Sequence, residues 1–178
     1  MASLRVALEG DRLVVREGAA SRTAVPSMQH PDFRRVLERG WVSPPSFGPR
    51  GDLRIYSAAH PGPAIGPYEW LASADWRRGR IQVDRRGAIS DIAMEPYGGG
   101  RGKAAGEHVE IAVDYQRREL AIAVEGAHRA RGRWTDRELT LEADAGAARV
   151  VTAPFACALF LWAERPAAFL VEAARPFA

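Results

Sequence analysis

The chain has a single cysteine, Cys157, among its 178 residues. One cysteine cannot close an internal disulfide. Cys157 lies inside the run APFACALFLWA, where a free thiol serves as a small hydrophobe. A nucleophilic role would need exposure and a neighbouring base, and the local sequence supplies neither. Long hydrophobic runs are also scarce. The longest, Ala153–Ala163, contains Pro154 and is too short to span a bilayer. The opening stretch MASLRVALEGDR meets charge at Arg5 and alternates from there, so it lacks the unbroken apolar core of a signal peptide. These absences predict a soluble, cytoplasmic protein with no membrane partner.

Metal and nucleotide chemistry find little to work with. The four histidines, His30, His60, His108 and His128, form no H-x-H or H-x-x-x-H pair, and zinc sites usually draw on close ligand pairs. YGGGRGKAAGEH resembles a phosphate loop only loosely. Gly98 to Gly102 is one residue short, and Ala104 stands where a hydroxyl is needed. No G-x-S-x-G elbow is present. No metal and no cofactor are expected.

Lysine is nearly missing: Lys103 is the only one among 25 basic residues. Arginine suits forks to phosphate and carboxylate, but a GC-rich coding bias supplies arginine and alanine together. The arginines are interleaved with 22 acidic residues, and the net charge is only +3. That argues against a basic stripe, so a nucleic-acid partner is unlikely.

What the chain does have is alternation. LRVALEGDRLVVRE reads as a hairpin, with Leu4, Val6 and Leu8 answered by Leu13 and Val15 across Gly10-Asp11. HPDFRRVLERGW predicts a helix over 31–39: Pro31 and Asp32 suit its first turn, and Gly40 ends it. A Pro/Gly-rich loop over 43–51 follows. From Asp52 the pattern is strand after strand. GRIQVD turns Ile81 and Val83 inward, PYGGGRGKAAGE reads as a long glycine-rich loop, and ARGRW, ELTLEA and RVVTA read as strands. FACALFLWA and AAFLVEA read as the last buried strands. HVEIAVDYQRRELAIAVEG, residues 108–126, gives one core face (Val109, Ile111, Val113, Tyr115, Leu120, Ile122, Val124). Its other face sets charges among alanines. That face is predicted to meet solvent, with helix 31–39 as a candidate to lie across it.

About ten strands at regular spacing predict one domain over 1–178, an all-β fold. The expected architecture is a single-domain antiparallel β-barrel of about eight to ten strands with one short helix; a curved β-sandwich is the alternative. A barrel of this size can enclose one small ligand. The expected function is binding a small, mostly apolar molecule in the barrel. A cofactor-free cyclisation or isomerisation guided by shape is the chemistry it would support. Tyr56, Tyr68, Trp70, Met94 and Trp134 are the expected lining, because they offer large apolar surface with few polar handles. His60, Glu69 and Arg131 are expected at the rim. The alternative is a sandwich that binds carbohydrate or a protein partner. Arg129, Arg131 and Arg133 share one strand face and could meet an anion, or acids on a neighbouring strand such as Glu138 and Glu142.

Overall fold

The computed structural model describes residues 1–9, 12–26, 52–57, 70–75, 78–85, 88–95 and 97–173. Within them are twelve strands and two helices. The strands are β1 (Ala2–Glu9), β2 (Arg12–Glu17), β3 (Ala20–Pro26), β4 (Asp52–Ser57), β5 (Trp70–Asp75) and β6 (Arg80–Arg85). They continue with β7 (Ala88–Met94), β8 (Gly100–Ala104), β9 (Glu107–Asp114), β10 (Glu119–Val124), β11 (His128–Trp134) and β12 (Glu138–Ala143). The helices are α1 (Ala145–Ala148) and α2 (Ala153–Ala173). The predicted helix 31–39 and loop 43–51 lie outside the described residues.

All strands belong to one antiparallel sheet. Each pairs with the next along the chain, and β1 pairs with β12 as well as with β2. The thinnest join is β3 to β4, where only Val25↔Tyr56 and Pro26↔Ile55 are in register. The fold is therefore mostly antiparallel β structure, as the alternation predicts, but with more strands than the eight to ten expected.

Local chemistry sets the turns. The first hairpin brings Glu9 opposite Arg12, the register that a two-residue connection requires. Ala105 and Gly106 have φ of 52° and 80°, so both turn residues are left-handed, and the β8–β9 turn is of the type that matches strand twist. Strand β8 corrects the expectation of a long glycine-rich loop over PYGGGRGKAAGE. It is a strand because its glycines let neighbouring backbone come close. A Cβ on Gly102 would stand 2.1 Å from the Asp91 carbonyl oxygen.

The larger correction concerns the C-terminal part. FACALFLWA and AAFLVEA are not strands; both belong to the 21-residue helix α2. RVVTA is not a strand either, and residues 145–148 just before it form the short helix α1. The cause is physical. Residues 153–164 of α2 are buried without exception, and a helix enclosed on every side is apolar all round and shows no periodicity. Such a run cannot be told from a buried strand by pattern alone. Pro154 falls in the first turn, where no N–H partner is lost. The helix also runs on through Pro166, which lacks the N–H that would reach the Trp162 carbonyl. Asp144 starts α1: its carboxylate accepts from the Ala147 N–H at 2.8 Å and the Arg129 N–H at 2.7 Å. Those bonds hold its pKa below the ordinary value, the Ala147 bond most of all. Among the described residues, no helix is long and apolar enough to cross a membrane.

Helix α2 lies in the hollow of the sheet and is not centred there. Its backbone comes closest to β5 and β6. On β5 the inward residues are Ala72 and Ala74, both fully buried. Across the hollow stand the larger Ile92, Met94, Ile111, Leu120, Ile122 and Trp134, also buried. The small side chains of Ala72 and Ala74 let the helix approach β5, and larger ones, Ile81 and Val83 on β6 included, fill the rest of the hollow. Burying each large apolar side chain of α2, such as Phe155, Leu159 and Trp162, contributes about 1.5–3 kcal/mol before ordering costs.

This packing makes position 72 intolerant of volume. Ala72→Leu should lower stability by about 1–3 kcal/mol, read from the denaturant midpoint. Ala112→Leu, on the outward face of β9, should change it by less than about 0.5 kcal/mol.

Candidate binding site at the aromatic rim

The turns after β5, β7, β9 and β11 gather at one end of the sheet. The chain enters the hollow from the other end, after β12, through α1. From Ala153 to Glu164, α2 rises about 16 Å, which carries Glu164 across to the end where Arg118 sits in the β9–β10 turn. There Arg118 Nε donates to Glu164 Oε2 and Nη2 donates to Oε1, both at 3.0 Å. This is a two-pronged fork between a guanidinium and a carboxylate. The Glu164 side chain is 6% exposed and that of Arg118 26%.

Arg118 is held from both sides. Its φ is 54°, an uncommon conformation for a residue with a Cβ. Its carbonyl accepts from the Trp134 backbone N–H at 3.1 Å. One residue thus ties the end of β11 to the interior helix.

Beside the fork is an aromatic group. The Trp162 indole N–H donates to the Tyr115 hydroxyl at 3.2 Å, and that hydroxyl donates to the Gly98 carbonyl at 2.7 Å. The Tyr115 ring stands edge-on to Trp134, with centroids 6.4 Å apart, and to Tyr97 at 6.5 Å. Tyr115 and Trp134 are buried, whereas Tyr97 is 48% exposed. The three rings form a row leading from the surface inward. Tyr97 also has a positive φ, 56°, and backbone strain at a bulky residue tends to gather at functional sites. The Trp134 indole nitrogen is buried and makes no hydrogen bond of good geometry. It still lies close enough to Glu164 to favour the carboxylate.

The electrostatics follow from burial. Desolvation pushes the Glu164 pKa up, and the hydrogen bond and charge of Arg118 pull it back only in part. The Tyr115 hydroxyl is also pushed up by desolvation. The Arg118 guanidinium is raised by its hydrogen bond to Glu164. Cys157, deep in α2, is driven far above the ordinary thiol range by burial, which removes it from nucleophilic chemistry.

Two open grooves lie on the outward face of the sheet. One, of about 760 Å³, runs over β9–β12 between Ala112, Ala121, Arg131, Arg133, Thr140 and Glu142. The other, of about 630 Å³, lies over β7–β11 and shares Ala112 and Ala121 with it. The alternating face of 108–126 is thus outward: Glu110, Ala112, Asp114 and Ala121 are exposed. Its alanines form the groove floor between longer neighbours. Arg133 pairs with Glu119 at 3.0 Å, whereas Glu138 pairs with Arg5 rather than with the arginine row of β11. Arg131 stands in register with Glu142.

Of the residues expected to line a pocket, Met94 and Trp134 are the two whose side chains are described. Met94 and Trp134 are both buried on the inward face. The register puts Met94 in the row of Gly100, Ile111, Ile122 and Ala130, four positions along β11 from Trp134. Arg131 is exposed on the outward face, not at the rim. Tyr56 is in β4 and Trp70 opens β5, but their side chains lie outside the described part, as do Tyr68, His60 and Glu69 altogether. Sequence reasoning missed Glu164 and Arg118. One signal was available: Glu164 is the first charge after eleven uncharged residues, Ala153–Ala163, and a carboxylate so placed must find a cation wherever the apolar run is buried.

Comparison with family models, with curated proteins and with solved structures found no match to this chain.

The raised pKa of Glu164 has a sign that can be tested. Unfolded, Glu164 releases its proton near the ordinary value of about 4.3; folded, it does so at higher pH. Between the two the folded state holds more protons, so this group makes stability fall as pH rises through that window. Glu164→Gln should remove this component of the slope in denaturation series above about pH 4.3. At neutral pH the variant should lose about 3–5 kcal/mol, because Arg118 is left without its charge partner. An unchanged slope would show that Glu164 is solvated.

Proposed function

We propose that the sheet closes as a twelve-stranded barrel around α2, and that the protein binds a small, mostly apolar molecule at the mouth where α2 meets Arg118. Twelve strands about 4.8 Å apart, tilted by about 40°, give a backbone radius of about 12 Å. An off-centre helix about 10–12 Å across occupies most of that hollow. The ligand's place is then the aromatic mouth, not the middle of the barrel. The observation that carries this reading is the row of rings from exposed Tyr97 through Tyr115 to buried Trp134. It offers apolar contact graded from solvent to core, with a few polar groups set at its inner end. Met94 and the residues predicted from β4 and β5 are not needed for it. Glu164, whose proton is retained to higher pH than usual, is the group best placed to move a proton if the bound molecule cyclises or isomerises.

The alternative, a module for carbohydrate or a protein partner, is favoured by the outward groove around Ala112 and Arg131. No aromatic ring is among its lining residues, which suits a charged peptide segment better than a sugar face.

Titration with neutral eight-carbon amphiphiles should give a saturable change in tryptophan fluorescence. Tyr97→Ala should weaken that binding about tenfold while changing stability by less than about 1 kcal/mol, as expected for a half-exposed ring. The absence of any saturable signal from the folded protein would contradict the proposal.

A further inference from the structure

The outward face of β9–β11 carries acids on one side and arginines on the other. The register sets three rows across these strands: Glu110, Ala123 and Arg129; Ala112, Ala121 and Arg131; Asp114, Glu119 and Arg133. An acidic strand and an arginine strand thus flank one whose outward residues are mostly alanine. Two strand spacings, about 9.6 Å, keep Glu110 from Arg129 and Asp114 from Arg133 within one sheet. Glu110 lies 3.6 Å from His108 and Arg133 lies 3.0 Å from Glu119, yet their side chains stay 64% and 83% exposed. Both can still reach outward.

We infer that this face docks on a second copy of the chain, with the two sheets stacked about a two-fold axis that runs along β10. Such an axis lays each row on the same row of the other copy and exchanges β9 with β11. Arg129 then faces Glu110 of the partner subunit, and Arg133 faces Asp114 of the partner subunit. By symmetry each contact occurs twice. Ala121 meets Ala121 of the partner subunit at the centre. Alanine is short enough for the sheets to come within about 10 Å, the usual spacing of stacked sheets, and an arginine and a carboxylate together span that gap. The sheet curves around α2, so the strands beside β10 fall away from the facing surface, and the long side chains stand there. Glu119 meets its own copy, with its charge already met by Arg133. An axis running across the strands would instead lay Arg129 over Arg133 of the partner subunit and Glu110 over Asp114 of the partner subunit. Like charges set face to face are costly, so the order of charges selects the first axis. Three strands and three rows cover on the order of 300–500 Å² of each copy, the size of a weak, reversible contact. This contact is independent of the ligand site proposed at the mouth.

Sedimentation velocity of the full chain over a dilution series tests the contact. A monomer–dimer equilibrium with a dissociation constant of about 10–100 μM is expected at low salt, and it should weaken as salt screens the exposed pairs. Ala121→Arg should abolish the dimer without moving the denaturant midpoint. Glu110→Arg and Arg129→Glu should each give a monomer when alone, because each sets like charges face to face. Mixed in equal amounts, these two variants should form a heterodimer, because opposite charges are restored at both contacts. The dilution series on the unaltered protein stands alone if a variant does not fold. A chain that stays monomeric up to about 1 mM, whether or not it captures a glutamate-rich peptide on this face, would overturn the inference. So would an Ala121→Arg variant that dimerises as before. A dimer lost in Ala121→Arg but not re-formed by mixing the two charge variants would overturn the two-fold arrangement.

Discussion

Eleven consecutive residues without a charge, followed at once by a glutamate, set the constraint on which the rest of this structure depends. Ala153–Ala163 is buried on all sides, and in this chain the hollow of the sheet is what encloses it. The consequences pass outward. The helix approaches β5 over Ala72 and Ala74, while Ile81 and Val83 on β6 and the larger residues of β7 to β11 fill the remaining space. Interiors packed to this density respond to single methyl groups, so the helix and the sheet each specify the other.

The same helix sets where chemistry can occur. Glu164, the buried charge among its described side chains, emerges at the rim rather than in the middle. A carboxylate there is tolerable because Arg118 reaches it from a turn held in an uncommon conformation. A buried pair of this kind contributes little to net stability but penalises loss of either partner heavily. It therefore acts as a registration point, fixing how far α2 slides through the sheet. The proposed function follows from that placement: with the helix in the interior, the aromatic mouth beside the fork is where we propose that a small molecule binds.

Much of the sheet was legible in the sequence. Period-two alternation over 4–15 and 108–126 fixes which residues face inward, and the register confirms Leu4, Val6, Ile111 and Ile122 on the inner face. The glycines of 98–102 misled, because glycine marks close approach of backbone as readily as it marks a loop. The helix was illegible for a different reason. Amphipathic periodicity exists only where a helix has a wet side, and residues 153–164 have none. Met94 and Trp134, expected to line one pocket, both face inward, but sequence gives no way to see that four positions along β11 separate their rows. Glu164 and Arg118 meet only because α2 crosses the hollow, a relation between residues 46 apart in the chain that no local pattern encodes.

Cys157 sits near the middle of the enclosed stretch of α2 and is fully buried, which makes it a reporter of whether the helix stays in the sheet. The direct measurement is the rate at which a thiol reagent modifies it under native conditions, followed across increasing denaturant. If α2 is an integral part of the core, modification proceeds only through global unfolding, and its rate rises with denaturant along the unfolding limb of the folding kinetics. Rapid, denaturant-independent modification of the folded protein would mean that α2 leaves the hollow readily, and the account of a helix-filled sheet with its site at the rim would be wrong.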